Sequence, residues 1–387
     1  MEKSNVLVVG FEGVGKSTLI KTVLGDEAMK KAQAVRSGRP EDFQIYESDK
    51  VPFRLIDTVG IEPGLFKEQR AVNAVKKWSS NAIKARRKEH QISAIWFCID
   101  KYTSKLFPKT IDSFVEAVDY WDDVPIIVVI TQSYGEDDVA KTREIVEKAF
   151  LSKKKYATKL TEIVSVIAKP KQTKEGEVIP PTGIVELIEL TNSLLPVGFQ
   201  ASERDIAKYL LSRKRAMSHA VVSVATLAGI TAGGIAMPVV DLMLLKPTES
   251  LELESIFKIW GIKKTKKTKD LLKLMVDIGT VSITGKTLVS SLKLIPGINL
   301  GAASINAIIS GTIVFALGEA SVYIFEQIAT GKKTVDDIEW AQKILQDSLS
   351  NTVLDKIAYS AKKLSKGADK TEILDSVAQA FAKGATT

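Results

Sequence analysis

Along the first half of the chain, short apolar runs alternate with longer stretches whose apolar residues recur at helical spacing. The runs Asn5–Val9, Val51–Ile56, Ala94–Ile99, Pro125–Ile130 and Ile163–Ala168 are rich in Val and Ile and scarcely alternate with polar residues. Strands buried on both faces of a parallel sheet have this character, because helices cover each face. Leu65–Lys88 and Asp137–Phe150 between them have helix length, so the pattern predicts a βαβ series around a mostly parallel sheet. Phe43–Ser48, followed by a turn at Asp49-Lys50, is expected as an antiparallel edge strand. Past Leu195-Pro196-Val197-Gly198 the strand-like runs stop and helical periodicity takes over. The architecture expected is an α/β domain over residues 1–197 and an all-α domain over 198–387, with Pro238, Pro247 and Pro296 at helix ends or kinks.

The sharpest chemical signal is Gly10-Phe11-Glu12-Gly13-Val14-Gly15-Lys16-Ser17. It fits G-x-x-x-x-G-K-[ST] and lies between the strand Val6–Val9 and a helix opening at Lys16, the setting in which a phosphate-binding loop works. Glycines let backbone N–H groups turn toward a phosphate, and the start of the following helix adds partial positive charge. Lys16 supplies a point charge, the Ser17 hydroxyl can ligate Mg²⁺, and Thr18 continues the helix. A nucleoside triphosphate is the expected ligand. Gly285-Lys286-Thr287 echoes the motif, but Gly279 stands one residue too far away and no buried strand precedes it.

A second element, Asp57-Thr58-Val59-Gly60, ends the strand Phe53–Ile56. An acid there can hold magnesium through water, and a glycine amide can sense a γ-phosphate. Together the two motifs resemble the Era-like branch of the translation-factor-related GTPases, over residues 1–195. The resemblance implies a P-loop G domain that binds GTP and GDP with Mg²⁺ held at Ser17 and Asp57. It also implies base contacts at Thr131 and Gln132 and at the turn Ile167-Ala168-Lys169, which is similar to the family's last base-contacting turn.

Three departures change what is expected. No threonine lies between Val23 and Asp57 to complete magnesium coordination; Asp42 stands at the aligned position, where a solvated loop acid is the simpler reading. The base-reading segment is Thr131-Gln132-Ser133-Tyr134, so Gln132 replaces the family's lysine and Tyr134 the acid that would pair with guanine. Ile61 follows Gly60 where many such enzymes carry a water-orienting glutamine. Slow intrinsic hydrolysis is therefore expected, with no general base assigned. A nucleotide-binding scaffold with little hydrolysis and an ATP-using P-loop protein are the alternatives.

Composition bears mainly on the second half. One cysteine and two histidines in 387 residues exclude a disulfide scaffold and argue against thiolate or histidine metal centres. Cys98 reads as a small buried strand residue. The opening residues run straight into a strand without a secretory pattern, so a cytoplasmic location is expected. Residues 1–200 carry 30 basic against 28 acidic side chains, and residues 201–387 carry 24 against 18. The surplus suits an anionic membrane surface, whereas nucleic acid has only charge in its favour. Ala216–Val240 and Leu294–Gly318 each run for 25 residues without Asp, Glu, Lys or Arg. By length either spans a bilayer, yet both are rich in Gly, Ala, Ser and Thr, and a buried helical core is the favoured reading. Small residues at Gly229, Gly233, Gly301, Ser304 and Gly311 permit close helix approach.

Lys263, Lys264, Lys266, Lys267 and Lys269 read as a solvated loop between helices, with Trp260 beside it as a partly buried residue or an interfacial anchor. Tyr209 and Arg213-Lys214-Arg215 have no assignable role. Met237-Pro238-Val239-Val240-Asp241, Ile259-Trp260-Gly261, Ile295-Pro296-Gly297 and Ala316-Leu317-Gly318-Glu319 resemble a helical domain found behind some bacterial Era-like GTPases, and more distantly the helical half of immunity-related GTPases. That resemblance implies architecture, with docking to a membrane, peripherally or by insertion, or a homodimer through the G domain as the partner expectations.

Overall fold

The computed structural model describes residues 3–30, 33–35, 43–58, 92–111, 124–152, 158–173, 178–234, 245–281, 300–364 and 367–382. These divide into two compact units: Met1–Lys169 with Pro181–Arg213, and Pro170–Pro180 with Lys214–Thr387.

The first unit is built on strands β1 (Ser4–Gly10), β2 (Gln33–Val35), β3 (Phe43–Glu47), β4 (Phe53–Thr58), β5 (Ile92–Ile99), β6 (Ile126–Ile130) and β7 (Leu160–Ser165). Their order across the sheet is β2-β3-β4-β1-β5-β6-β7. β1 pairs in parallel with β4 and β5, β5 with β6 and β6 with β7, while β2 and β3 run antiparallel. Every residue of β1 and of β6 is buried, as expected of strands covered on both faces. Helices α1 (Lys16–Leu24), α2 (Asp26–Lys30), α3 (Glu136–Leu151) and α4 (Ile184–Leu194) accompany the sheet. The core beneath α3 joins Phe97, Phe107, Val146 and Phe150, and Trp96 donates its Nε1–H to Thr191 Oγ1 at 3.0 Å.

Three expectations need correction. Phe43–Ser48 is not the edge, because the three-residue β2, too short to leave a pattern, pairs outside it. The last strand is Leu160–Ser165 rather than Ile163–Ala168. As an edge strand it carries the exposed Thr161 and Glu162 after Leu160, so an apolar run marks only its second half; Val166–Ala168 follow the strand, with Ile167 bridged to Thr182. The lysine cluster is mostly helical. The hydroxyls of Thr265 and Thr268 each accept the other's backbone N–H, at 3.2 and 2.7 Å, and start a helix at Lys266. Leu65–Lys88, Pro238 and Pro296 lie outside the described residues.

The second unit contains a short hairpin, β8 (Lys171–Gln172) with β9 (Val178–Ile179), and is otherwise helical. Helix α5 (Glu203–Gly233) contributes residues up to Arg213 to the first unit and the remainder to the second. Then follow α6 (Lys246–Trp260), α7 (Lys266–Val281), α8 (Ala302–Ala329), α9 (Ile338–Ser348), α10 (Asn351–Lys363) and α11 (Lys370–Ala382). Pro247 falls in the first turn of α6, where its missing N–H costs nothing.

Both α5 and α8 are long and apolar enough to cross a membrane by length and composition, but the most apolar stretch of α8 is 89% buried within the fold. A helix apolar on all sides and covered on all sides is a core helix. Glycines let α5 and α8 approach closely. A Cβ on Gly229 would sit 2.8 Å from the Val314 side chain, one on Gly233 2.6 Å from the Asn306 carbonyl, and one on Gly311 2.5 Å from Ile230. Among the described residues nothing lies within 4 Å of a Cβ added at Gly301. Trp260 is 3% exposed, so it is a core residue and presents no anchor.

Candidate functional site

The carboxyl ends of the parallel strands bring together most of the residues singled out by sequence. Ligands of open α/β sheets bind outside the carboxyl ends of the strands, in the crevice where the strand order reverses, here beside β1. β1 runs directly into the loop Gly10–Gly15, and α1 follows it. Gly10 crosses the end of β5 so closely that a Cβ would collide with the Cys98 carbonyl. Gly15 precedes α1 at φ 98°, a left-handed conformation that glycine adopts without strain. Phe11 and Val14 are buried and anchor the loop, whereas Glu12, Gly13 and Ser17 face solvent.

Lys16 is buried, and its Nζ donates to the carbonyls of Gly10 and Phe11, both at 3.0 Å. The ammonium is thus held inside the loop, where a phosphate would stand. Thr18 offers its carbonyl to the Thr22 hydroxyl at 3.0 Å and so lies within the helix ladder.

Asp57 pairs in register with Val8 of β1. Its Oδ1 is buried and finds no hydrogen-bond partner among the described residues. Burial pushes the Asp57 carboxyl up to about 6, with Lys16 pulling the other way. A buried carboxylate oxygen without a donor is costly unless a cation completes it. With the exposed hydroxyl of Ser17, which is of the same oxygen-donor type, Asp57 suits a hard cation such as Mg²⁺. Gly60, Ile61 and Asp42 lie outside the described residues.

At the end of β6, the Thr131 hydroxyl lies 2.5 Å from the Val14 carbonyl and 2.9 Å from that of Ile99. It ties the P-loop to two strand ends. Gln132 takes a left-handed backbone, φ 53°, and its Nε2 lies 3.4 Å from the Gly13 carbonyl and 3.5 Å from Asp100 Oδ2. Burial raises the Tyr134 hydroxyl above its ordinary value, which keeps it protonated and a hydrogen-bond donor. In the last turn, the Ala168 carbonyl accepts the Thr22 hydroxyl at 2.9 Å, and Lys169 is exposed. That contact joins the turn to α1 of the P-loop.

Sequence reasoning passed over Asp100, which follows β5. It is 5% exposed, and its Oδ1 accepts the N–H groups of Tyr102 (3.1 Å) and Thr103 (2.8 Å) and lies 2.8 Å from the Thr103 hydroxyl. The readable signal was an acid at the carboxyl end of a buried run with Thr three residues on. Tyr209 and Arg213, left without a role, lie at the end of α1. The Tyr209 hydroxyl donates to the Val23 carbonyl, and Arg213 Nη1 lies 3.5 Å from the Thr22 carbonyl. Both carbonyls belong to the last turn of α1, where a helix lacks its own donors. Cys98 is buried and its thiol is pushed up to about 12, so it supplies no nucleophile.

Residues 5–132, about a third of the chain, match a family described as 50S ribosome-binding GTPase. The GTPase Era of Leuconostoc citreum strain KM20 is 30% identical over 96 residues, which are 24% of this chain and 28% of that protein. The chain therefore spans little more than a quarter of that relative's length. Among solved structures, an Aquifex aeolicus Era variant bound to GDP·AlF4⁻ aligns over 62% of this chain and 70% of that chain, at 19% identity and a TM-score of 0.32. A member of an oligomerised bacterial dynamin pair, described as sensing and tethering membranes, aligns over 99% and 75%, at 10% identity and a TM-score of 0.29. Likeness at these TM-scores bears on neither mechanism nor partners.

Proposed function

We propose that the N-terminal part of this chain, whose residues 5–132 match that family, is a GTP-binding GTPase domain of Era-like type that hydrolyses GTP slowly with Mg²⁺ and couples its nucleotide state to the helical half. The observation that carries the nucleotide reading is the burial of Lys16 inside a loop it holds by the Gly10 and Phe11 carbonyls. Gly10–Thr18 cradle the phosphates, and Ser17 and Asp57 hold the cation. When bound, Mg²⁺ would offset charge on the terminal phosphates. Thr131 fixes the loop, Gln132 lies along the base, Gly60 contacts the γ-phosphate, and Ala168 and Lys169 close the base side. Ile61 cannot orient water, so the basal rate is slow, and a partner or a second G domain would accelerate it. Calorimetric titration with GTP, GDP and ATP, with and without Mg²⁺, tests the reading together with phosphate release. Absence of hydrolysis under saturating GTP would leave a nucleotide-binding scaffold.

GTP binds more tightly than ATP, but by a smaller margin than a site with the usual acid. An acid pairing with two guanine donors contributes about 1.5–3 kcal/mol of charge-assisted bonding, and Tyr134 cannot replace it in full. Competition between the two nucleotides measures this, and equal or tighter ATP binding would favour an ATP-using protein.

Coupling is supported by α5, one continuous helix that caps the end of α1 at Tyr209 and Arg213 and contributes its later residues to the second unit. A shift of α1 with nucleotide state would be felt along α5. Amide hydrogen exchange in residues 214–233 is expected to differ between GDP and a non-hydrolysable GTP analogue. Tyr209→Phe, which removes a hydrogen bond of about 1 kcal/mol, reduces that difference. Identical exchange in both nucleotide states of the unmodified protein would remove the coupling.

The second unit's basic surplus supports docking to an anionic membrane surface. The docking proposed is peripheral: the most apolar stretch of α8 is 89% buried within the fold, while that of α5 is 44% buried.

A further inference from the structure

The second unit holds a groove of about 400 Å³ between α6 and α7. Lys246 and Leu253 line it from α6. Lys269, Leu272, Lys273 and Val276 line it from α7, at the i, i+3, i+4, i+7 spacing of one helix face. Lys264, in the connection before α7, stands at the rim with Glu254.

Its charge is unbalanced. Lys246 is neutralised by Asp277 at 3.2 Å, and Lys264 lies 4.0 Å from Glu254. Lys269 and Lys273, one turn apart and both exposed, have no carboxylate within 4.0 Å among the described residues. The start of α7 adds to the imbalance. A helix N-terminus carries partial positive charge and favours acids, yet the first turn of α7 has none and its sequence opens Lys266-Lys267-Thr268-Lys269. Lys267 is paired with Asp336 Oδ2 at 2.7 Å, which leaves Lys269 and Lys273 as the groove's cations with no carboxylate within 4.0 Å among the described residues. The floor is apolar: Leu253 and Val276 are buried, and Leu272 is partly so.

Two exposed ammonium groups above an apolar floor match a group that is anionic at one end and hydrocarbon at the other. We infer that this groove binds the phosphate-bearing headgroup of an anionic phospholipid, with Lys269 and Lys273 on the phosphate and Leu272 and Val276 against the glycerol and the first methylenes. The inference rests on the peripheral docking reading and gives that docking an address. A free phosphate would satisfy the lysines but leave the apolar floor without an occupant.

The test is flotation of the full-length chain with vesicles of phosphatidylglycerol in phosphatidylcholine, compared with pure phosphatidylcholine, at low and high salt. Each basic residue at an anionic surface contributes about fivefold in affinity, so K269Q/K273Q is expected to bind about twenty-five-fold more weakly. Lys258→Gln, an exposed lysine of α6 outside the groove, carries the charge control and is expected to change binding little. Equal weakening by Lys258→Gln and by either single groove variant would overturn the groove and leave a diffuse basic surface. Unaltered flotation of K269Q/K273Q would overturn the groove while membrane docking stands. No flotation in any nucleotide state would overturn docking and the lipid assignment together. In a calorimetric arm, glycerol 3-phosphate binding without vesicle binding would reassign the groove to a soluble phosphate ester. Circular dichroism of each variant confirms that folding is intact.

Discussion

Lys16→Ala is expected to abolish measurable nucleotide binding while leaving the fold in place. The side chain is buried at the mouth of the loop and bonded to the carbonyls of Gly10 and Phe11. It is therefore a cation held in the loop that, on the proposed reading, receives the phosphates. Charge-assisted bonds of this kind contribute about 1.5–3 kcal/mol each, and an ammonium serving two phosphates makes more than one. The expected weakening is about a hundredfold or greater, read by calorimetry with GTP and with GDP. Folding is insulated because alanine is a good helix residue at the first position of α1. Unchanged affinity would mean that the ligand sits elsewhere. Ser17→Asn should weaken the Mg²⁺-dependent component by the same logic.

The second large effect concerns a residue away from the nucleotide. Glu252 is fully buried on α6, and neither carboxyl oxygen has a hydrogen-bond partner among the described residues. Burial raises its carboxyl well above the ordinary 4.5, and the nearby Glu249 and Glu319 push in the same direction. The folded chain therefore holds this proton at a pH where the unfolded chain has released it. Stability from this group is full below 4.5 and falls as pH rises above it, with a limiting slope of about 1.4 kcal/mol per pH unit. His219 acts with the same sign. Its hydrogen bond to Glu319 Oε1 at 2.8 Å raises it above 6.5, so its contribution is present below 6.5 and is lost as pH rises through the folded value. Being half exposed, it contributes less. The helical unit should thus melt at a higher temperature at about pH 5.5 than at about pH 8. Glu252→Met, which replaces an unpaired buried acid with a flexible apolar chain, should stabilise it by about 1–4 kcal/mol at about pH 8 and flatten the profile. Urea unfolding at both pH values decides this, and a less stable variant at the higher pH would show that the carboxylate has a partner worth keeping.

Glu252 and Lys16 differ in how far the chain alone announces them. Lys16 lies in a contiguous motif, and its chemistry needs only the neighbours that the loop provides. Glu252 looks like any acid on an amphipathic helix; its burial depends on α8 closing over α6 with Gly318 opposite its carboxyl. Asp100 and Thr131 fall between the two cases. Their positions at strand ends were legible, but the bonds from Thr131 to Val14 and from Asp100 to its own turn depend on how the strands are paired.

The apolar pattern determined the parallel strands β1, β5 and β6, because burial on both faces leaves a continuous run whose short length and Val/Ile richness mark it as strand. It also determined the order of an α/β domain before a helical one, and the phosphate loop between the first strand and helix, since each rests on contacts within a few residues. Only the tertiary structure decided the rest. It extended the sheet beyond β3, moved the start of β7 and turned most of a lysine-rich loop into helix. It assigned Tyr209 and Arg213 to the end of α1, made α8 a core helix and set Lys269 and Lys273 beside an apolar floor. All of these depend on which distant surface each residue meets: periodicity records that a face is apolar, whereas the partner covering that face is set by packing between segments far apart in the chain.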